Sequence, residues 1–300
     1  MSTAARPSSS APFRALVART PPEGFFVVSA VFHYLGPAFA VLLFARVDVL
    51  GVAWLRIAAA AVVFALWRRP WRAFAALDAD GRRLLIGWGT VLAVMNAVFY
   101  SAIDRLPLGT VAAIEFLPVV ALAALGARTV RNLLALVLAV GGVGLLTDVV
   151  LAGEPLGVVL AFANAVLFAL YVVLGHRVAR RGAAAGIDGL AASMLVAAVV
   201  ATPIGGWAAL SALDDPVVLI AGIGVGISSS VIPYVFDQLA MARLPRASYA
   251  LLVALLPATA TIIGVVVLGQ LPAWLEVLGV VLVIAGVALH REREAAAAGG

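Results

Sequence analysis

Two ionisable side chains stand inside long apolar runs of this sequence, where a charge needs a partner or a purpose. Arg56 lies within GVAWLRIAAAAV (51–62). Its guanidinium could hold a carboxylate through two parallel hydrogen bonds, form a structural ion pair, or reach towards water along its aliphatic stem. Glu115 could exchange a proton, since burial favours the protonated form of a carboxylate, or bind an ammonium group, or neutralise Arg56 permanently.

Further polar residues punctuate the apolar runs. His33 is a second candidate for proton exchange because histidine titrates near neutral pH, although a hydrogen-bonded packing role is equally compatible with its position. Asn96 and Tyr100 are four residues apart and therefore share a helix face, and Asn164 shares a face with Phe168. Such residues either join helices by hydrogen bonds or line a cavity with binding capacity.

Three prolines stand where helices could bend. Ser228-Ser229-Ser230 followed by Pro233 and Tyr234 is expected to break a helix into a polar stretch, which makes Tyr234 a candidate binding residue. Pro118 and Pro257 each follow an Arg-Leu-Pro sequence by eleven or twelve residues. These prolines are candidate hinges, with a static kink as the alternative.

Composition assigns these residues to a membrane protein. Of the 300 residues, 64% are hydrophobic and 12% are charged, against roughly 45–50% and 25% in soluble domains. The uninterrupted Ala/Val/Leu runs do not alternate as barrel strands do. We therefore expect an all-α integral membrane protein. The sequence has no cysteine, no GxSxG elbow, no paired-histidine metal motif and no nucleotide-binding loop, so we expect no enzyme activity, cofactor, metal or nucleic-acid partner.

The apolar runs predict ten transmembrane helices, since one span takes about 20 residues. The predicted spans are 25–45, 49–67, 84–103, 107–126, 132–150, 155–175, 188–210, 216–239, 247–269 and 272–290. Residues 1–24 read as a flexible cytoplasmic tail and 291–300 as a C-terminal cytoplasmic tail. The two five-helix units would be 25–150 and 151–290.

The arginines support this count. All 20 basic residues are arginine, and with ten spans 17 of them fall on the side that holds both termini. Only Arg46 and Arg105 fall on the other side, and Arg56 lies within a span. Positive charge accumulates on the cytoplasmic side of membrane proteins. Both termini are therefore predicted to be cytoplasmic.

The two predicted units resemble each other. Residues 104–118 read DRLPLGTVAAIEFLP and residues 242–257 read ARLPRASYALLVALLP. Because each unit has five helices, the two copies would cross the membrane in opposite directions. Inverted repeats of this kind are typical of secondary transporters, whose substrate site lies near the midplane between the halves.

Several segments resemble the EamA-type members of the drug/metabolite transporter superfamily, and in particular the bacterial threonine/homoserine exporter branch. They are GVAWLRIAAAAV (51–62), RLPLGTVAAIEFLPVVAL (105–122), LFALYVVLGHRV (167–178) and IPYVFDQLAMARLP (232–245). The resemblance covers most of the chain from about residue 25 to 290.

The resemblance implies a multi-pass transporter of the cell membrane with two inverted five-helix repeats. Its implied activity is export of threonine, homoserine or related small metabolites, with proton antiport as the hypothesised coupling. Arg56, Glu115, Asn96, Tyr100, Asn164 and Tyr234 are the predicted substrate-binding residues, and Glu115 and His33 the predicted proton-exchanging ones. The expected partners are the lipid bilayer and a small-molecule substrate. Alternatives are a broad-specificity exporter of cationic or aromatic compounds, a lipid flippase and a membrane enzyme.

Overall fold

The computed structural model describes residues 21–118, 129–151, 154–179, 183–241 and 255–289. Within these ranges every regular element is helical and there is no strand. The α-helices are α1 Pro22–Leu43, α2 Val49–Arg68, α3 Pro70–Ala75, α4 Ala79–Ile103, α5 Leu108–Glu115, α6 Val130–Leu151, α7 Pro155–Ala179, α8 Ala183–Ala201, α9 Leu210–Leu213, α10 Pro216–Gly226, α11 Ile232–Met241, α12 Leu256–Leu268 and α13 Trp274–Leu289. The prediction of an all-α membrane protein is confirmed at this level.

Six stretches of the described chain are long and apolar enough to cross a membrane. They are Glu23–Leu43, Val49–Arg68, Ala79–Ile103, Pro155–Gly175, Asp188–Gly206 and Pro216–Phe236. Three shorter apolar helices, Val130–Leu145, Leu256–Leu268 and Trp274–Leu289, coincide with the predicted fifth, ninth and tenth spans. The predicted fourth and ninth spans, 107–126 and 247–269, lie partly outside the described residues.

Capping explains where two of the helices begin. Helix α4 starts five residues before the predicted span, because the Asp78 side chain accepts a hydrogen bond from Gly81 N at 2.8 Å. Helix α2 starts at the predicted position, where the Asp48 carboxylate accepts one from Leu50 N at 2.9 Å. Between these helices Arg69 has a left-handed backbone with φ of 50°, which ends α2 and permits the short helix α3.

The interruption of the eighth predicted span at the three serines takes the form of a wider helical turn. The chain stays helical through the three serines and widens into a π-helical turn, Ile227–Val231, between α10 and α11. A second π-helical turn, Thr202–Gly206, follows α8. A π-helical turn departs from the α-helical hydrogen-bond pattern, so its carbonyl groups can accept hydrogen bonds from a neighbouring helix.

Several helix contacts occur in reciprocal pairs: a helix of the first half contacts one of the second half, and the corresponding helices contact each other with the halves reversed. Helix α2 packs against α8, and α6 packs against α13. Helix α1 packs against α11 and α12, while α7 packs against α4 and α5. Helix α2 packs against α10, while α8 packs against α4. These contacts between the first and second halves therefore have counterparts in which the roles of the halves are reversed.

Two glycines of α4 offer a matched test of this packing. A Cβ on Gly89 would lie 2.5 Å from the Ser193 carbonyl oxygen and 2.6 Å from Val196 Cβ on α8, whereas a Cβ on Gly87 would meet nothing within 4 Å. We expect Gly89→Ala to lower the free energy of unfolding by about 1–3 kcal/mol through overpacking. Gly87→Ala should instead be neutral or raise it by up to about 1 kcal/mol through helix propensity.

Thermal unfolding of the purified protein in detergent measures both glycine variants. The account of the α4–α8 contact would be contradicted by Gly89→Ala being as stable as Gly87→Ala.

Candidate functional site

A layer of polar side chains separates two apolar clusters. Helix α2 contributes Val52 and Leu55 to the first cluster and Ile57 and Phe64 to the second, with Arg56 at the boundary. The same transition occurs on α4, near Asn96, and on α7, near Asn164. The polar layer comprises the buried residues Arg56, Asn96, Glu115, Asn164, Ser229 and Ser230. Arg56, Asn96 and Asn164 lie well inside their helices, which places the layer at mid-depth in the bundle. Glu115 is the last residue of α5, and the two serines lie in the π-helical turn between α10 and α11.

Arg56 is bound to the π-helical turn 227–231. Its Nε donates a hydrogen bond to Ser230 Oγ at 3.0 Å, and its Nη2 donates one to the Ser229 carbonyl oxygen at 3.1 Å. Its guanidinium carbon lies 5.4 Å from the centroid of the Tyr100 ring, within cation–π distance. A Cβ on Gly36 would overlap Ser229, so this glycine lets α1 approach the turn that receives Arg56.

Glu115 is held from the opposite direction by α7. Asn164 Nδ2 donates a hydrogen bond to Glu115 Oε1 at 3.3 Å. The neighbouring rings of Phe116 and Phe168 stand edge to face with centroids 5.9 Å apart, which fixes α5 against α7 at this level. Only 6% of the Glu115 surface is exposed, and 7% of that of Arg56.

The two buried charges do not pair with each other. Arg56 and Glu115 form none of the ion pairs within 4.0 Å found among the described residues. Both nonetheless lie in the same polar layer. Within the described chain, Arg56 Nη1 and Glu115 Oε2 form no hydrogen bond. The site therefore presents a cationic donor and an anionic acceptor with unused binding capacity.

Three more polar atoms beside this pair lack partners among the described residues: the hydroxyls of Tyr34 and Tyr100, and Asn164 Oδ1. Their side chains are fully buried. Buried polar groups are nearly always hydrogen-bonded, and leaving one unsatisfied costs about 1–3 kcal/mol. The ring of His33 stands edge to face with that of Tyr34, at 5.2 Å between centroids, which places it at the rim of the same cluster.

The remaining predicted site residues lie around this cluster. Asn96 is buried in the polar layer, but its Nδ2 donates to Leu92 O of its own helix at 2.8 Å. Tyr234 is half-buried and packs on the second apolar cluster. Pro233 is buried, and its carbonyl oxygen accepts a hydrogen bond from Ser29 Oγ at 3.1 Å. Pro257 is the second residue of α12, and Pro118 ends the first described range, so both hinge assignments stay predictions.

Sequence reasoning missed the parts played by Tyr34, Ser229, Ser230 and Gln270. The serines were expected only to break a helix into a polar stretch, and no role was predicted for Tyr34. Gln270 Oε1 accepts a hydrogen bond from Leu108 N at 3.1 Å, which caps the helix that carries Glu115. No local sequence pattern marks the contacts of Ser229, Ser230 and Gln270, because each joins residues more than 150 positions apart in the chain.

Polar groups at mid-depth between packed membrane helices define a transporter-like protein rather than an enzyme. Among the described residues no group of three or more His, Asp or Glu side chains could hold a metal ion. The cluster instead offers opposite charges and hydroxyls at separate points, which suits reversible binding of a small polar solute.

Comparison with known proteins assigns the family. Residues 155–291 match the EamA-like transporter family. The threonine/homoserine exporter RhtA of Escherichia coli strain K12 is 32% identical over 253 residues, covering 83% of this chain and 84% of the exporter. RhtA of Salmonella typhimurium strain LT2 is 31% identical over 256 residues, with the same coverage. The chain belongs to the EamA-like transporters of the drug/metabolite transporter superfamily, and it is a multi-pass transporter of the cell membrane.

A solved crystal structure supports the fold independently. It has 18% sequence identity to this chain and a TM-score of 0.60, and the match covers 89% of this chain and 96% of that chain. At this identity the likeness concerns the fold alone.

Proposed function

We propose that this protein exports small amino acids, with threonine and homoserine as the first substrates to test, by alternating access coupled to proton antiport. The observation that carries the proposal is the pair Arg56 and Glu115. Both are buried in the polar layer, and they form no ion pair with each other. An amino acid is a zwitterion, so its carboxylate can occupy the free Nη1 of Arg56 while its ammonium group occupies Glu115 and Asn164 Oδ1.

The relatives support this substrate class, since both RhtA proteins are named as threonine/homoserine exporters. Glu115 supports the coupling. A carboxylate with a single hydrogen bond in an apolar surrounding can take up a proton when its ammonium partner leaves, and release it when the next substrate binds. Substrate and proton would then alternate at one group.

The ten-helix inverted repeat is part of the same proposal. The reciprocal helix contacts between the two halves support five-helix units of residues 25–150 and 151–290. The arginine distribution supports two cytoplasmic termini. The polar layer lies where the two units meet, because Arg56 of the first binds Ser229 and Ser230 of the second. Rocking of one unit against the other would expose this layer to each side in turn.

Two ion pairs join the units near the proposed membrane surfaces. Arg68 Nη2 lies 2.7 Å from Asp188 Oδ1 on the proposed cytoplasmic side. Arg46 Nη1 lies 3.9 Å from Asp215 Oδ2 on the proposed outer side, where both side chains are exposed. Because the ion pairs stand at opposite ends of the α2–α8 and α2–α10 contacts, rocking would strain them in alternation.

Efflux from liposomes tests the proposed function. Purified protein is reconstituted in vesicles loaded with labelled threonine or homoserine, and efflux is compared with and without an imposed pH gradient. We expect efflux above that of protein-free vesicles and acceleration by the gradient. Folded protein that releases neither amino acid would contradict the proposal and would move the search to cationic drugs and lipids.

A further inference from the structure

The hydroxyls of Tyr34 and Tyr100 have no assigned role in binding the charged ends of an amino acid. Both hydroxyls are buried without a hydrogen-bond partner in the described part of the protein. Both rings are rigidly placed, since that of Tyr34 contacts His33 and that of Tyr100 contacts Phe44 at 6.0 Å and Phe99 at 5.8 Å. The two hydroxyls are therefore preorganised donors and acceptors.

The two tyrosines belong to helices that lie near Arg56. The ring of Tyr100 lies beneath the Arg56 guanidinium at 5.4 Å. Tyr34 is buried in the same apolar cluster as Tyr100, on the helix α1 that closely approaches Ser229 of the turn that binds Arg56. A ligand bound at Arg56 would thus lie close to the helices that carry both tyrosines.

We propose that Tyr34 and Tyr100 recognise the side-chain hydroxyl of the substrate, so that the protein selects hydroxylated amino acids over aliphatic ones of the same shape. This inference rests on the proposed export of amino acids. The substrate carboxylate and ammonium group satisfy Arg56, Glu115 and Asn164 Oδ1. A substrate hydroxyl, which both donates and accepts, satisfies a tyrosine hydroxyl that an aliphatic side chain leaves unpaired.

Such a site discriminates strongly between substrates with and without a hydroxyl, because a substrate that lacks it leaves the tyrosine hydroxyls of the site without a hydrogen-bond partner. Sites built to hydrogen-bond a hydroxyl discriminate against analogues that lack it far better than apolar pockets discriminate by size. Threonine and valine have nearly the same shape and differ by this hydroxyl, as do homoserine and norvaline. These pairs separate hydroxyl recognition from size selection.

The test measures efflux of all four amino acids from proteoliposomes. We expect wild-type protein to prefer threonine over valine, and homoserine over norvaline, by at least about tenfold. Tyr34→Phe with Tyr100→Phe should reduce each preference by about tenfold or more, mainly by slowing the hydroxylated substrate. The single variants show which tyrosine serves which substrate.

Phenylalanine keeps each ring, so the contacts with Arg56 and His33 persist. A merely structural role predicts unchanged preference, because within the described residues neither hydroxyl has a hydrogen bond to lose. Tyr171→Phe is the matched control, since this ring packs against Trp88 with centroids 5.4 Å apart and belongs to the second apolar cluster. It should keep the wild-type preference.

The outcomes separate the two proposals. Equal transport of threonine and valine by wild-type protein, or a preference that survives in the double variant, would overturn the tyrosine assignment and leave amino-acid export standing. Transport of none of the four by folded protein would overturn both.

Discussion

Glu115→Gln is expected to abolish the acceleration of amino-acid export by a pH gradient. Glutamine has the shape of glutamate and can keep a hydrogen bond with Asn164, which now holds Glu115 at 3.3 Å. It cannot exchange a proton, and it offers an ammonium group no charge. We therefore expect gradient-driven efflux to fall to the level of protein-free vesicles.

The same substitution should not harm the fold. A buried carboxylate with one hydrogen bond contributes little net stability, and a neutral amide of equal volume avoids its desolvation. The midpoint of thermal unfolding of Glu115→Gln should equal or exceed that of wild type. Loss of transport would then result from the missing carboxylate and its proton exchange, and not from misfolding.

Glu276→Gln is the matched control for Glu115. Glu276 Oε2 accepts a hydrogen bond from Ala273 N at the start of α13, and glutamine can accept the same bond. This variant should respond to the gradient as wild type does. If Glu115→Gln retained the wild-type response, Glu115 would not be the coupling group, and His33 would be the next candidate.

Arg56→Lys is expected to raise the KM for threonine export by about ten- to a hundredfold. Lysine keeps the charge but loses the planar fork that can bind Ser229, Ser230 and a carboxylate at the same time. Hydrogen bonds to charged groups contribute about 1.5–3 kcal/mol, and 1.4 kcal/mol is a factor of ten in affinity. Concentration-dependent efflux from proteoliposomes gives the KM.

Ser230→Ala separates binding by Arg56 from its structural role. This change removes the hydrogen bond to Nε but leaves the guanidinium in place. We expect a KM only a few times that of wild type. A Ser230→Ala effect as large as that of Arg56→Lys would mean that Arg56 acts by holding α2 to the π-helical turn, and that it does not bind substrate.

Much of the fold could be predicted from the sequence. Apolar run length identified the helices, and the Asp48 cap lies where the second helix was expected to begin. Gly222 and Gly226 let α10 approach α2, since a Cβ on Gly222 would lie 2.9 Å from Leu55 Cδ1 and a Cβ on Gly226 2.7 Å from Ala59 Cβ. Arg56 and Glu115 stood out as site candidates in the sequence, because burying a charge in a membrane helix costs free energy and such charges are rare unless they have a function.

The contacts within the site could not be predicted. The π-helical turn depends on a donor from α2, and helix periodicity contains no information about which carbonyl groups a distant arginine will occupy. Tyr100 was predicted to bind substrate, but Tyr34 looks like an ordinary packing residue in sequence. Only three-dimensional placement shows that both hydroxyls lack a hydrogen-bond partner among the described residues. Asn96 was expected in the binding set, yet it donates its hydrogen bond to its own helix.

The central claim is that Arg56 and Glu115 bind the two charged ends of one amino acid. The most direct measurement is equilibrium binding to purified protein of threonine, of threoninol, which lacks the carboxylate, and of the hydroxy acid that lacks the ammonium group. Each ligand is compared in wild type, Arg56→Met and Glu115→Gln, so that protein and ligand groups form double-mutant cycles.

The account predicts that removing the carboxylate weakens binding to wild type and to Glu115→Gln, but not further to Arg56→Met. Removing the ammonium group should weaken binding to wild type and to Arg56→Met, but not further to Glu115→Gln. Independent, additive losses in every combination would contradict the pairing and with it the proposed substrate site.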